Sequence, residues 1–170
     1  MKLKKHQSGV SILEFTLLAT SVLLVLFSVI EMGRYVYSLQ MANDLTRKVA
    51  RMGVVCHVND KDDLATLAMQ NYAPAGFTAG NLIIEYLDDS GQPVSINAGM
   101  SSDDYNDAYA TIKFVRVRVS NYQYQLIGFL SFLAEGGVIA MPDMETTLPI
   151  ESLGVVRPTL AHPESRHTDC

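Results

Sequence analysis

The sequence predicts an α+β protein in which a long N-terminal helix, apolar at first and amphipathic later, packs on a small antiparallel sheet with one or two short helices. Three observations predict it. Residues 10–30 form an apolar run with a single charge, Glu14. From Glu31 to Met52 the apolar residues Met32, Val36, Leu39, Leu45, Val49 and Met52 recur at helical spacings, with Arg34, Gln40, Asn43, Asp44, Arg47, Lys48 and Arg51 mostly between them. Beyond residue 80, short apolar stretches with period-two alternation are separated by turn residues.

The apolar run comes first. As a helix, residues 10–30 are roughly 32 Å long, about the thickness of a bilayer's hydrocarbon core. A carboxylate in such a segment costs a few kcal/mol, which makes Glu14 a functional candidate. Ahead of the run, Lys2, Lys4 and Lys5 form a basic flank without an acidic residue. That flank stays on the cytoplasmic side, so the chain after Ile30 is expected across the membrane. Nothing like an A-x-A cleavage site closes the run, so the segment is expected to be retained rather than removed as a signal peptide.

The order of basic leader, Gly9, Val10-Ser11-Ile12-Leu13, Glu14-Phe15 and an uninterrupted apolar run resembles the processing site of type IV-like prepilins, specifically the TadE-like pseudopilins of tight-adherence (Flp) pilus systems. The exit sequence Glu31-x-Gly33-Arg34-x-Val36 is similar as well, and TadF-like sister proteins share both the site and the general shape. The resemblance implies a pilin-like fold and a cut between Gly9 and Val10 by a membrane-embedded prepilin peptidase. It places Glu14 at the fifth position of the processed chain, followed by the aromatic Phe15. It also implies a single-pass protein of the inner membrane, with the other Tad pseudopilins and the pilus assembly platform as partners. The chain then divides into a leader (1–9), a transmembrane and assembly helix (10–30), an amphipathic continuation (31–53), a periplasmic head (54–160) and a polar tail (161–170).

Glu14 has a physical reading of its own. A cut before Val10 creates an α-amino group about 6 Å of helix rise from Glu14. In an assembly, Glu14 of one subunit can pair with the amine of a neighbour, and removing one partner of such a pair costs about 3–5 kcal/mol. The plain alternative is an anchor whose Glu14 reaches headgroup water.

The helix is expected to run to Met52 and stop at Gly53, with Tyr35 and Tyr37 as interfacial anchors. Asn59 or Asp60 then caps a helix over residues 61–72, with Leu64, Leu67 and Ala68 on one face. Residues 81–86 read as a strand, Asp88-Asp89-Ser90-Gly91 as a turn, and residues 92–96 as a weaker returning strand that Pro93 places near an edge. Residues 98–107 read as an acidic loop, whose Asp103, Asp104 and Asp107 miss the calcium-loop spacing. The clearest strand covers residues 109–120, with Val115, Val117 and Val119 inward and Arg116 and Arg118 outward. Residues 121–125 continue its alternation, residues 126–133 read as a short apolar helix or buried turn, and a last strand covers residues 144–152.

A chain of 170 residues with net charge -5 and basic residues scattered outside the leader has no stripe with which to track phosphates, so no nucleic-acid partner is expected. Cys56 and Cys170 suit an oxidising compartment and are compatible with a disulfide, two isolated thiols or pairing between chains. His162, His167 and Cys170 match no standard zinc spacing. No G-x-S-x-G, H-E-x-x-H, phosphate-binding glycine loop or C-x-x-C is present. No catalytic residue, metal, cofactor or small-molecule substrate is therefore expected. Two functions remain: a minor pseudopilin with a full head, or an uncleaved bitopic membrane protein whose periplasmic domain binds a partner.

Overall fold

The computed structural model describes residues 8–70, 72–97, 99–156, 166–167 and 170. Its organising element is helix α1, Ser8–Val55, 48 residues long. That is roughly 72 Å of helix. The second half of α1 packs against α2 (Lys61–Met69) and a three-stranded antiparallel sheet in the order β1 (Leu82–Leu87), β2 (Phe114–Val119), β5 (Glu145–Pro149). A third α-helix, α3 (Ser102–Thr111), lies between β1 and β2, and two short ribbons complete the head: β3 (Gln123–Gln125) with β4 (Val138–Ala140), and β6 (Val155–Val156) with β7 (Arg166–His167). The expected α+β, pilin-like arrangement is what forms.

The core lies between α1 and the sheet. Ala42, Leu45, Val49 and Val54 of α1 are buried together with Leu64 of α2, Ile84 of β1 and Val115 and Val117 of β2. The valine parity in β2 is as the alternation predicts, and its outward arginines meet a counter-charge on β1. Arg116 donates from Nε and Nη2 to Glu85 Oε2 at 2.9 and 2.7 Å, and Arg118 reaches Oε1 at 3.2 Å. Register explains the pairing, since Glu85 lies directly opposite Arg116.

Several elements differ from the sequence reading. The helix does not stop at Gly53 but runs two residues further. Gly53 instead marks the closest approach of helix to sheet: a Cβ there would lie 2.9 Å from Val115 Cγ1. The buried face is also phased differently. Glu31, Ser38, Ala42, Leu45, Val49 and Gly53 face inward, while Met32 and Val36 stay exposed and prolong the apolar surface of the first half. Leu67 is half-buried, the inward positions of α2 being Leu64, Ala65 and Ala68, and α2 ends at Met69.

Residues 92–96 do not form a strand. Beyond the turn, where Asp88 Oδ1 accepts from the amides of Ser90 and Gln92, only an isolated bridge between Leu87 and Pro93 forms. Pro93 has no amide hydrogen to extend it, and contact on this free edge of β1 is limited to the bonds from Val94 N to Tyr86 O and from Asp88 N to Gln92 O. The acidic loop is in fact the start of α3: Ser101 accepts from the Asp104 amide, and Asp103 and Asp104 sit in the first turn, where the helix dipole favours negative charge. In consequence β2 starts at Phe114, not at residue 109. The last strand is confined to Glu145–Pro149. Residues 126–133 are not buried as a unit: a 3-10 turn, Gly128–Leu133, buries Leu130 and exposes Phe129, Phe132 and Leu133.

The C-terminal carbonyls of α1 are capped by the return of the chain. Leu153 N donates to Val54 O at 3.1 Å and Gly154 N to Val55 O at 2.7 Å. Gly154 has φ +78°, and a Cβ there would stand 2.6 Å from His57 N. A Gly154→Ala variant is therefore expected to lose at least about 1–3 kcal/mol, the cost of the left-handed backbone alone. A denaturant midpoint equal to wild type would contradict this cap.

Candidate functional site

Two parts of α1 carry the candidate function: its first turns, and the place where it leaves the apolar run. Gly9 and Val10 lie inside the first turns of the helix, which begins at Ser8. Helix ends fray at little cost, so the bond between them can be presented without disturbing the rest. Val10 and Glu14 are four residues apart and share a face. Both are exposed, as is Phe15, at 72% of its surface. Glu14 makes no ion pair among the described residues. Lys2, Lys4 and Lys5 of the leader lie outside the described residues, as does His162 of the tail.

The apolar part of α1 is uncovered. Its most apolar window has a mean hydropathy of 2.3 and none of it is buried by the rest of the chain. The core helix of a soluble domain would be covered, so this helix is long, apolar and bare, as a single membrane span requires. Its hydroxyls are satisfied within the helix: Thr16 donates to Leu13 O, Ser21 to Leu17 O and Ser28 to Leu24 O, at 2.9, 2.8 and 2.8 Å. Such back-bonding lowers the cost of polar side chains where water is absent.

At the exit stands Glu31, which sequence reasoning treated only as part of a motif. It is buried, and one carboxylate oxygen accepts from the Tyr124 hydroxyl at 2.8 Å and the Ile127 amide at 3.4 Å. The other oxygen accepts from Arg34 Nη1 at 2.9 Å. Tyr35 packs edge-on against the Tyr124 ring, 5.3 Å between centroids, and the Arg34 guanidinium lies 5.9 Å from the same ring. Tyr35 thus anchors the helix to the head, while Tyr37 is exposed. The available signal was the i, i+3 pair Glu31 and Arg34, but the partner Tyr124 is 93 residues away.

Burial, and after it the hydrogen bond to Glu31, pushes the Tyr124 phenol up to about 12. The folded protein therefore holds this proton more tightly than the unfolded chain. Its contribution to stability is complete below the ordinary tyrosine value of 10.0 and is lost as the pH rises through about 12. In alkaline unfolding followed by circular dichroism, Glu31→Leu is expected to weaken this dependence. It should also cost about 1–3 kcal/mol at neutral pH, by leaving the Tyr124 hydroxyl without its acceptor. An unchanged alkaline limb and an unchanged neutral stability would contradict the junction's role.

The cysteines are joined: Cys56 and Cys170 form a disulfide with Cα atoms 5.7 Å apart. Neither is a free thiol, so Cys56 beside His57 is not a nucleophile and base. Among the described residues no group of three or more His, Cys, Asp or Glu side chains is placed to hold a metal ion. Arg116 and Arg118 are engaged by Glu85 rather than presented to an anion.

Comparison with known proteins agrees on the first part of the chain. The family model of TadE-like proteins matches residues 9–51, which include Gly9, Val10, Glu14, Phe15 and the Glu31 junction. No curated protein and no solved structure matches the chain. Over residues 9–51, about a quarter of its length, the chain is similar to the TadE-like proteins.

Proposed function

We propose that the protein is a minor pseudopilin of a Tad (Flp) pilus system, cut between Gly9 and Val10 by a prepilin peptidase and acting in assembly of the pilus, and through it in adhesion and biofilm formation. The observation that carries the reading is the family match over residues 9–51, which takes in Gly9, Val10, Glu14, Phe15 and most of the helix behind them. Supporting it is the bare first half of α1, a surface that lipid covers before assembly and neighbouring pseudopilins cover within it. The full head behind that helix favours a minor over a major subunit.

Two independent features support the topology of this reading. The basic residues Lys2, Lys4 and Lys5 favour the cytoplasmic side, and the Cys56–Cys170 disulfide favours an oxidising compartment for the head. The reading is thus a single-pass inner-membrane protein with a periplasmic head, whose partners are the peptidase, the other Tad pseudopilins and the assembly platform. Catalysis has no role in it. Deleting the gene from a piliated host and restoring it on a plasmid tests the reading: pilus production should disappear and return. Normal piliation of the deletion strain would contradict it and favour the uncleaved bitopic anchor with a periplasmic binding domain.

A further inference from the structure

The 3-10 turn Gly128–Leu133 belongs to the head, yet it reaches back along the apolar part of α1. Phe129 packs on Phe27 with ring centroids 4.6 Å apart. Phe27 precedes the Glu31 junction by four residues, about 6 Å of helix rise, on the side of the apolar run. Whatever surrounds residues 10–30 at the level of Phe27 therefore also surrounds Phe129. The turn carries no charge, and its outer surface is apolar: Phe132 is 68% and Leu133 59% exposed. Monomeric soluble proteins seldom leave a cluster of this kind uncovered.

Its backbone is suited to an apolar environment. Leu130 N donates to Ile127 O at 2.8 Å, Gly137 N to Ala134 O at 2.9 Å and Leu126 N to Gly137 O at 3.0 Å, while the Ser131 hydroxyl donates to Gly128 O at 2.7 Å. Each such internal bond lowers the cost of setting the turn at the boundary between lipid and water. Gly136 and Gly137, at φ 67° and 72°, turn the chain back into β4 without lengthening the excursion. Leu130 alone points inward and is fully buried, fixing the turn to the head.

We propose that this turn is a membrane foot: Phe129, Phe132 and Leu133 insert into the bilayer leaflet nearest the head, beside Phe27. The foot holds the head at a fixed height and tilt on the lipid surface. With the Glu31 junction directly above it, the head is gripped at two points where the helix emerges. The inference rests on the reading of residues 10–30 as a membrane span.

The chain has no tryptophan, so single tryptophans report their own surroundings. Full-length Phe132→Trp, Leu133→Trp, Leu18→Trp in the span and Thr147→Trp on the outer face of the sheet are placed in nanodiscs of phosphatidylcholine and phosphatidylglycerol. Each is measured with brominated phosphatidylcholine in the disc and with iodide in the buffer. The expected result is that the reporters at 132, 133 and 18 lose most of their emission to brominated lipid and little to iodide, while that at 147 does the reverse. Lipid quenching at 18 with iodide quenching at 132 and 133 would overturn the foot and leave the span standing. Shielding of 132 and 133 from both quenchers would mean that a second copy of the chain covers them, which also overturns it. Absence of lipid quenching at 18 as well would overturn the span and the foot together.

Discussion

Replacing Glu14 with leucine is expected to leave the protein in the membrane at normal abundance and to stop its incorporation into a pseudopilus. Insertion does not need the carboxylate, since a leucine in residues 10–30 makes the span more apolar. Assembly needs it on the proposed mechanism. The processed α-amine at Val10 and the Glu14 carboxylate lie on one face of α1, and no counter-charge for Glu14 is found among the described residues. In the proposed assembly, the counter-charge is the amine of the adjacent subunit. Loss of one member of such a pair costs about 3–5 kcal/mol. That is a factor of more than a hundred in an equilibrium constant, and register errors of one subunit against the next become competitive. Glu14→Gln keeps the shape without the charge and should fail similarly. The measurement is pilus yield by electron microscopy beside membrane abundance by immunoblot. Wild-type pili from Glu14→Leu would refute the pairing.

Cutting the Cys56–Cys170 bridge should produce the largest loss of stability in the head. The bond spans 114 residues. For a loop of that length the chain-entropy model gives about 4.8 kcal/mol, and removal of native disulfides typically costs about 2–5 kcal/mol. Its location adds to the argument, because Cys56 directly follows α1 and the Cys170 amide donates to Asp60 just ahead of α2. Cys170→Ser is expected to lower the denaturant midpoint of the purified protein, and adding reductant should lower wild type to the same value while leaving the variant unchanged. Equal midpoints for oxidised wild type and Cys170→Ser would mean that the bridge does not constrain the fold.

The sequence made the elements with strong local signals legible. The span, the valine face of β2 and the turn at Asp88–Gly91 each rest on contiguous residues whose pattern has one physical meaning. The pattern misled where two signals compete. Residues 102–111 bury no side chain, so α3 shows no apolar stripe, and only the Ser101 and Asp104 capping pair announces it. Met32 and Val36 match the helical period, yet they continue the bare apolar surface rather than the buried face, because a carboxylate, Glu31, occupies the inward position. No periodicity argument would place a charge there.

The site divides in the same way. Gly9, Val10, Glu14 and Phe15 form a compact motif that a reader of sequence can find, whereas Glu31 acquires its meaning only through Tyr124 and Ile127, which the fold brings to it from far along the chain. The apolar turn at Gly128–Leu133 was visible as apolar, but its placement beside Phe27 depends on the tertiary fold. Strand order is non-local for the same reason: β1 pairs with β2 across the α3 insertion, and β5 then joins the far side of β2.

The most direct test of the central claim is the intact mass and N-terminal sequence of the protein extracted from membranes of cells with and without a prepilin peptidase. The account predicts a chain beginning at Val10 when the peptidase is present and an uncut chain retaining Gly9 when it is absent. A chain still beginning at Met1 in both would contradict it, leaving a plain anchor in which Glu14 has no amine to meet.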